Sequence, residues 1–206
     1  TPRVYHTARE ADQDFRIIDT RHEQAAVHMA DAWSRITEQP GVCMYTTPGF
    51  ANAIPGLTNA MHTEGAVISI AGCADTHDLG RGAQQEIEQV AMAAPICKGS
   101  FMVPDARRIP EFIARAVRLA FSGRRGPVHL TIPIDVQEQS VDEEEIVLTQ
   151  PEEYRASQSV LANVDLVRRA IGLLREARRP LAIAGCAAGY TLSGEALQRF
   201  IETTRV

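Results

Sequence analysis

No two cysteines of this chain form a C-x-x-C pair: Cys43, Cys73, Cys97 and Cys186 stand far apart in sequence. That spacing speaks against a zinc ribbon or a dithiol redox motif. Each cysteine lies in or beside an apolar segment, so free, partly buried thiols in a reducing cytosol are the expectation. Long apolar runs are missing as well, and none approaches the ~18 residues that a membrane span requires. No charged-then-apolar leader opens the sequence, and a soluble, cytoplasmic protein is expected. A clustered basic surface is also lacking. The net charge is −5, and the pairs Arg107-Arg108, Arg124-Arg125, Arg168-Arg169 and Arg178-Arg179 are scattered along helix-like segments. Neither nucleic acid nor a membrane is therefore expected as a partner. Internal repeats are absent, and so is the G-x-G-x-x-G of a dinucleotide fold.

What is present is an ordinary globular composition, 206 residues with 45% hydrophobic and 23% charged. That length suffices for one full α/β domain and part of a second. The sequence starts on Thr1 and stops on Arg205-Val206 just after a helix-like segment, so a longer polypeptide is expected.

Strand-like and helix-like segments alternate, the signature of a parallel sheet with helices on both faces. Short apolar strands are expected at 15–19, 42–45, 66–71, 98–103 and 128–132. Helices are expected at 23–36, from Ala25, Ala26, Met29, Ala30, Trp33 and Ile36, and at 109–120, ended by Gly123. Two more are expected at 52–62, with Pro55 in the first turn, and at 84–94, stopped by Pro95. Residues 72–82 hold glycines without periodicity and read as a loop. The acidic, polar stretch 135–162 reads as an interdomain connection. A second unit then begins with a helix at 164–174, a strand at 180–184, a glycine-bounded turn at 185–189 and a helix at 193–203 capped by Ser193.

Glu23 is the candidate with the most chemistry. It follows an apolar strand and opens an amphipathic helix, at the end of the sheet where open α/β folds place ligands. The helix dipole there favours its ionised form. Taken alone, a first-turn glutamate is as well explained as a helix cap.

Five blocks in order give it weight: RHEQAAVHMADAWSRITEQPGVCMYT, PGFANAIPGLTNA, VISIAG, QQEIEQVAMAAPICK and GPVHLTIPIDVQ. Together they resemble the N-terminal, pyrimidine-binding domain of thiamine-diphosphate-dependent enzymes, in the acetolactate synthase and benzaldehyde lyase group. The resemblance covers roughly residues 15–140, and the segments after Ala162 resemble the start of the family's central domain. It implies a thiamine-diphosphate-binding α/β fold over 1–140, incomplete at its N-terminus. A linker over 141–162 and a truncated second α/β domain over 163–206 would follow.

For Glu23 the resemblance implies a hydrogen bond to the cofactor's aminopyrimidine, through which the thiazolium carbon becomes a nucleophile toward a ketone or 2-oxo acid. Dry walls from Ala25, Ala26 and strand 42–45 are expected to raise its pKa. Pro48, Gly49, Phe50 and Asn52 match the loop beside the pyrimidine, one residue shorter than the family pattern Thr-Ser-Gly-Pro-Gly. Asn52 is a fair helix cap, and Phe50 either touches the ligand or fills the loop. Gln85 matches the active-site glutamine in one register and Gln84 in the other, with Gln85 preferred. His22 is expected to point away from Glu23, and His28 to serve packing.

The family's diphosphate and Mg²⁺ site carries Gly-Asp-Gly followed by asparagine. Here the one Gly-x-Gly triplet is Gly80-Arg81-Gly82, so the metal is expected to sit outside these residues. FAD against the turn 185–189 is an alternative to a plain βα connection, which is preferred. The activity implied is that of an acetolactate synthase-like carboligase or decarboxylase on 2-oxo acids, in a homodimer or homotetramer. A benzaldehyde lyase-like enzyme acting on 2-hydroxy ketones and a non-catalytic α/β binding module are the alternatives.

Overall fold

The computed structural model describes residues 16–155, 162–188 and 194–204. Four parallel strands form its sheet: β1 (Gly41–Tyr45), β2 (Val67–Cys73), β3 (Gly99–Met102) and β4 (Val128–Pro133), ordered β1-β2-β4-β3. The register pairs Val42 with Ile68 and Ile68 with Val128, while Gly99 also meets Val128. Every pairing is parallel, so each connection crosses a face of the sheet. β2 and β4 lie in the middle and are buried along nearly their whole length.

Helices α1 (Glu23–Thr37) and α2 (Thr47–His62) cover one face. Val27, Phe50, Ala53, Leu57 and Ala60 pack there with Cys43, Tyr45, Val67 and Ala71. On the other face α4 (Ile109–Phe121) buries Phe112, Ala116, Val117 and Ala120 on Ile68, Val128, Leu130 and Ile132. That three-and-four spacing is the helical stripe read from the sequence. Val42 and Met44 of the edge strand remain exposed, because the second core contains no residue of β1.

The α1–α2 crossing depends on Gly56. A Cβ there would stand 2.8 Å from Val27 Cβ, so any side chain would push the helices apart. α1 starts on a cap the sequence does not advertise: Nδ1 of His22 accepts from the Gln24 N–H at 3.2 Å. The helix ends at Glu38, which takes the left-handed conformation usually left to glycine.

Several expectations fail for identifiable reasons. α2 begins at Thr47, with Pro48 in its first turn and Thr46 as its extended cap residue, so residues 47–50 are helix rather than loop and Asn52 is not a cap. Pro55 then lies inside the helix, where it removes an i→i−4 bond at a cost of ~3 kcal/mol. Burial of Ala53, Leu57 and Ala60 offsets that loss. The helix expected at 84–94 shrinks to α3 (Gln89–Ala93). Glu86 accepts from the N–H groups of Gly80, Gly82 and Ala83 instead, a local alternative that competes with helix. Residues 16–20 form no strand, and Phe15 lies outside the described residues.

The chain divides into two compact units at Arg155. The stretch expected as a linker belongs in large part to the first. After β4 come α5 (Ile134–Glu138), a 3₁₀ turn Glu143–Glu145 and α6 (Pro151–Tyr154). Val136, Val141 and Tyr154 pack on the second core. Arg155 lies 4.5 Å over the Phe121 ring and donates to Gln39 Oε1 and the Glu38 carbonyl, each at 3.0 Å.

In the second unit, α7 (Val164–Glu176) is capped by the Asn163 carboxamide, and α8 runs Gly194–Thr204. Ser193 and Gly189 lie outside the described residues. The strand expected at 180–184 is not formed: 181–185 is irregular chain, followed by a 3₁₀ turn Cys186–Ala188. A strand needs a ladder partner, and no other strand is present among the described residues of this unit.

Candidate active site

Glu23 is the first residue of α1, placed against the first turns of α2. Its Oε2 accepts from Asn52 Nδ2 at 3.1 Å. Its Oε1 lies beside Gly49, where a Cβ would stand 2.8 Å from it and 2.9 Å from Tyr45 Cβ. Gly49 is therefore what lets the carboxylate sit at this turn. Contrary to the expected upward shift, the Glu23 pKa is lowered. Its own backbone N–H and the Asn52 amide stabilise the anion more than burial destabilises it. Ala25 is exposed and builds no dry wall.

Pro48 and Asn52 are exposed at this corner, and Gly49 is buried under it. Phe50 is not a contact residue. It is 0% exposed, with its ring 4.4 Å from His129 and 6.4 Å from Tyr45. Thr47 opens α2 and fixes where the corner lies. Its hydroxyl donates to the Gly72 carbonyl at 2.8 Å, tying the helix to the end of β2.

A cavity of about 210 Å³ opens beside that tie, lined among others by Thr46, Thr47, Cys73, Gln84, Gln85 and Glu138. Gln85 and Gln84 both reach it, and Glu23 does not line it. The two sequence-predicted catalytic groups thus flank the same α2 turn without sharing one cavity. Gln85 has φ +64°, a left-handed conformation that costs a side-chain-bearing residue ~1–3 kcal/mol. The three N–H groups bound by Glu86 hold the loop in that shape. The Cys73 thiol is pushed up to about 11, first by desolvation and then by Asp135, Asp75 and Glu86. It is a neutral thiol in a field of carboxylates.

Behind the cavity lies a group of polar side chains that sequence reasoning missed. Gln89, 2% exposed, donates from Nε2 to Thr47 Oγ1 at 3.0 Å and to the Gly72 carbonyl at 2.8 Å. Thr131 donates to Gln89 Oε1 at 3.3 Å, and the Thr131 hydroxyl lies 3.0 Å from His129 Nε2. His129 Nδ1 is 2.9 Å from Ser69 Oγ, which in turn bonds the Tyr45 hydroxyl. The one hint in the sequence was a histidine and a threonine inside the apolar strand VHLTI.

Other histidines among the described residues stay at the surface. His28 meets Gln24 at 3.2 Å, exposed rather than packed, and His77 lies 3.5 Å from Asp78. Asp75, His77 and Asp78 bring three potential ligand atoms within 4.8 Å of one another, on a solvent-facing turn. No helix among the described residues is long and apolar enough to cross a membrane.

The sequence is similar to known proteins. Residues 2–92 match the thiamine pyrophosphate enzyme, N-terminal TPP binding domain. Oxalyl-CoA decarboxylase of Escherichia coli K12 is 35% identical over 207 residues, covering 98% of this chain and 37% of that protein. A probable acetolactate synthase large subunit of Methanocaldococcus jannaschii is 34% identical, over 95% of this chain and 33% of that protein. A 2-hydroxyacyl-CoA lyase of Arabidopsis thaliana is 32% identical, over 93% and 34%. The chain therefore spans about a third of the length of these relatives. With its parallel sheet and its carboxylate at the head of α1, this chain belongs to the thiamine-diphosphate-dependent enzymes and carries their N-terminal cofactor-binding domain.

Proposed function

We propose that the complete protein is a thiamine-diphosphate-dependent carboligase or decarboxylase acting on 2-oxo acids, and that this chain supplies its pyrimidine side. The observation that carries this reading is Glu23, a half-buried carboxylate anchored by Asn52 where Gly49 leaves room for it. These residues fit an aminopyrimidine. A ring nitrogen needs a carboxylate oxygen with which to share a proton, and a flat ring needs close backbone approach. Glu23 would hold that proton at Oε1 while Asn52 keeps Oε2 fixed, and Pro48 and Gly49 would form the adjoining wall. When bound, thiamine diphosphate supplies the carbon nucleophile that attacks a carbonyl group. Gln85 would donate its amide N–H to a substrate oxygen from the loop held by Glu86. The diphosphate and Mg²⁺ would be held elsewhere in the complete protein, since the Gly-Asp-Gly pattern is missing here.

Gly49→Ala tests the site. The added methyl would displace Glu23 Oε1, and calorimetric titration of the complete protein should show cofactor binding weakened about tenfold or more. Unchanged affinity would remove the Glu23–Gly49 corner from the cofactor site.

A 2-hydroxy ketone lyase is the second reading, and one observation favours it. Among the described residues the cavity lining includes no lysine or arginine, and Asp135, Asp75 and Glu86 act together on Cys73. A field of that sign opposes an anionic 2-oxo acid and tolerates a neutral ketone. Rates on pyruvate and on a neutral 2-hydroxy ketone, compared in the complete protein, separate the two.

Assembly into at least a dimer is also proposed. Met29, Trp33 and Ile36 are 45%, 57% and 83% exposed at three-and-four spacing on α1, an apolar stripe suited to a second copy. Ile36→Glu should shift the complete protein toward monomer in sedimentation. An unchanged distribution removes α1 from the interface.

A further inference from the structure

The buried polar groups behind the cavity form one chain whose direction is fixed from one end. The Gly72 carbonyl can only accept, and it takes protons from Thr47 and from Gln89 Nε2. Thr47 has spent its proton there, so its oxygen accepts from Gln89. The Gln89 amide nitrogen thus faces two acceptors, and Oε1 is left for the Thr131 hydroxyl. Thr131 must then accept from His129 Nε2–H. Burial pushes His129 down to about 3, so it is neutral and its Nδ1 is bare. Ser69 donates to that nitrogen and accepts from Tyr45. Turning the Gln89 carboxamide over would set Oε1 against the Gly72 carbonyl, with no proton between them.

We infer that Gln89 is a positioning residue for the α2 turn that holds Gly49 and Asn52 against Glu23. It does so by clamping Thr47 and Gly72, and it sets the sense of the whole chain back to Tyr45. Thr47, Ser69, Gln89, His129 and Thr131 are each 3% exposed or less, so water does not compete for these bonds. This role rests on the functional reading above. The hydrogen-bond sense itself does not.

The experiment is nitrogen NMR of the uniformly ¹⁵N-labelled full chain, which reports both the His129 ring nitrogens and the Gly49 amide. His129 should be the Nε2–H tautomer in the native protein and in Thr131→Ser. Thr131→Val removes the acceptor at Nε2, and the proton should move to Nδ1 with Ser69 turned round. Gln89→Leu should leave a mixture of tautomers and shift the Gly49 amide. A native Nδ1–H tautomer, or a Gln89→Leu spectrum unchanged at both His129 and Gly49, overturns the inference. Should Gln89→Leu fail to fold, the Thr131→Val and Thr131→Ser pair decides the sense, and Thr47→Val against Thr47→Ser decides the clamp at the Gly49 amide. In the complete protein, Gln89→Leu should also weaken thiamine diphosphate about tenfold, as expected for one lost hydrogen-bonded clamp. Unchanged affinity refutes the positioning role. If the native protein binds no cofactor, the functional reading fails instead, and the Gly49 amide still decides whether Gln89 positions the turn.

Discussion

Glu23→Gln in the complete protein should leave thiamine diphosphate bound within a few-fold of native affinity and slow hydrogen exchange at the cofactor's reactive carbon by ~10²–10⁴. Glutamine has the size of glutamate and can still meet Asn52 and lie beside Gly49. What it cannot do is hold a proton shared with a ring nitrogen. Affinity and activation therefore separate, which a merely structural role for Glu23 would not produce. Glu23→Asp provides the complementary case: it keeps the charge but draws the carboxylate back from the α2 turn, so exchange should fall there too. Native exchange in Glu23→Gln would remove this residue from the chemistry. The lowered pKa of Glu23 in this chain sharpens the point. The group is ionised at neutral pH here, so the desolvation that proton sharing favours must come with the bound ring and the rest of the complete protein.

The second large effect is on stability below neutral pH. His129 is 0% exposed and held neutral, with its pKa lowered from 6.5 to about 3 by desolvation. In the unfolded chain the imidazole takes up a proton as pH falls through 6.5, while the folded one does not until about 3. The unfolded state therefore binds more protons across that window, and stability falls as pH falls. Above about pH 7 the group contributes no pH dependence. At ~1.4 kcal/mol per pH unit the loss reaches ~4–5 kcal/mol by pH 3, a large part of a domain's net stability. His129→Gln retains a donor and an acceptor but cannot titrate. Urea unfolding of the two proteins from pH 7 to 4 should show the native slope steeper by nearly one proton. Parallel slopes would mean that His129 charges without leaving its site.

The sheet was legible because its signals are local and repeated. Apolar runs such as AVISIA and the three-and-four stripe of Phe112, Ala116, Val117 and Ala120 read correctly without any knowledge of neighbours. Glu23 was legible for a different reason, its place at the head of a helix within blocks of recognisable order. Phe50 was not legible as core. In sequence it stands beside a proline and a glycine and looks like a loop residue, and only the start of α2 at Thr47 turns its ring inward. The stretch after Ile134 misled for a related reason. Its acidic composition describes the solvated side, while Val136, Val141 and Tyr154 make the contacts.

The order of residues alone determined the class of fold, the strand and helix faces, and the carboxylate that heads α1, because each depends on periodicity or on a neighbour a few positions away. Tertiary structure alone decided that Thr47, Gln89, Thr131, His129 and Ser69 form one hydrogen-bonded chain. Those residues come from α2, α3, β4 and β2 and carry no common spacing. A buried polar group takes its partner from whatever the fold brings within about 3 Å, and no pattern along the chain encodes that distance.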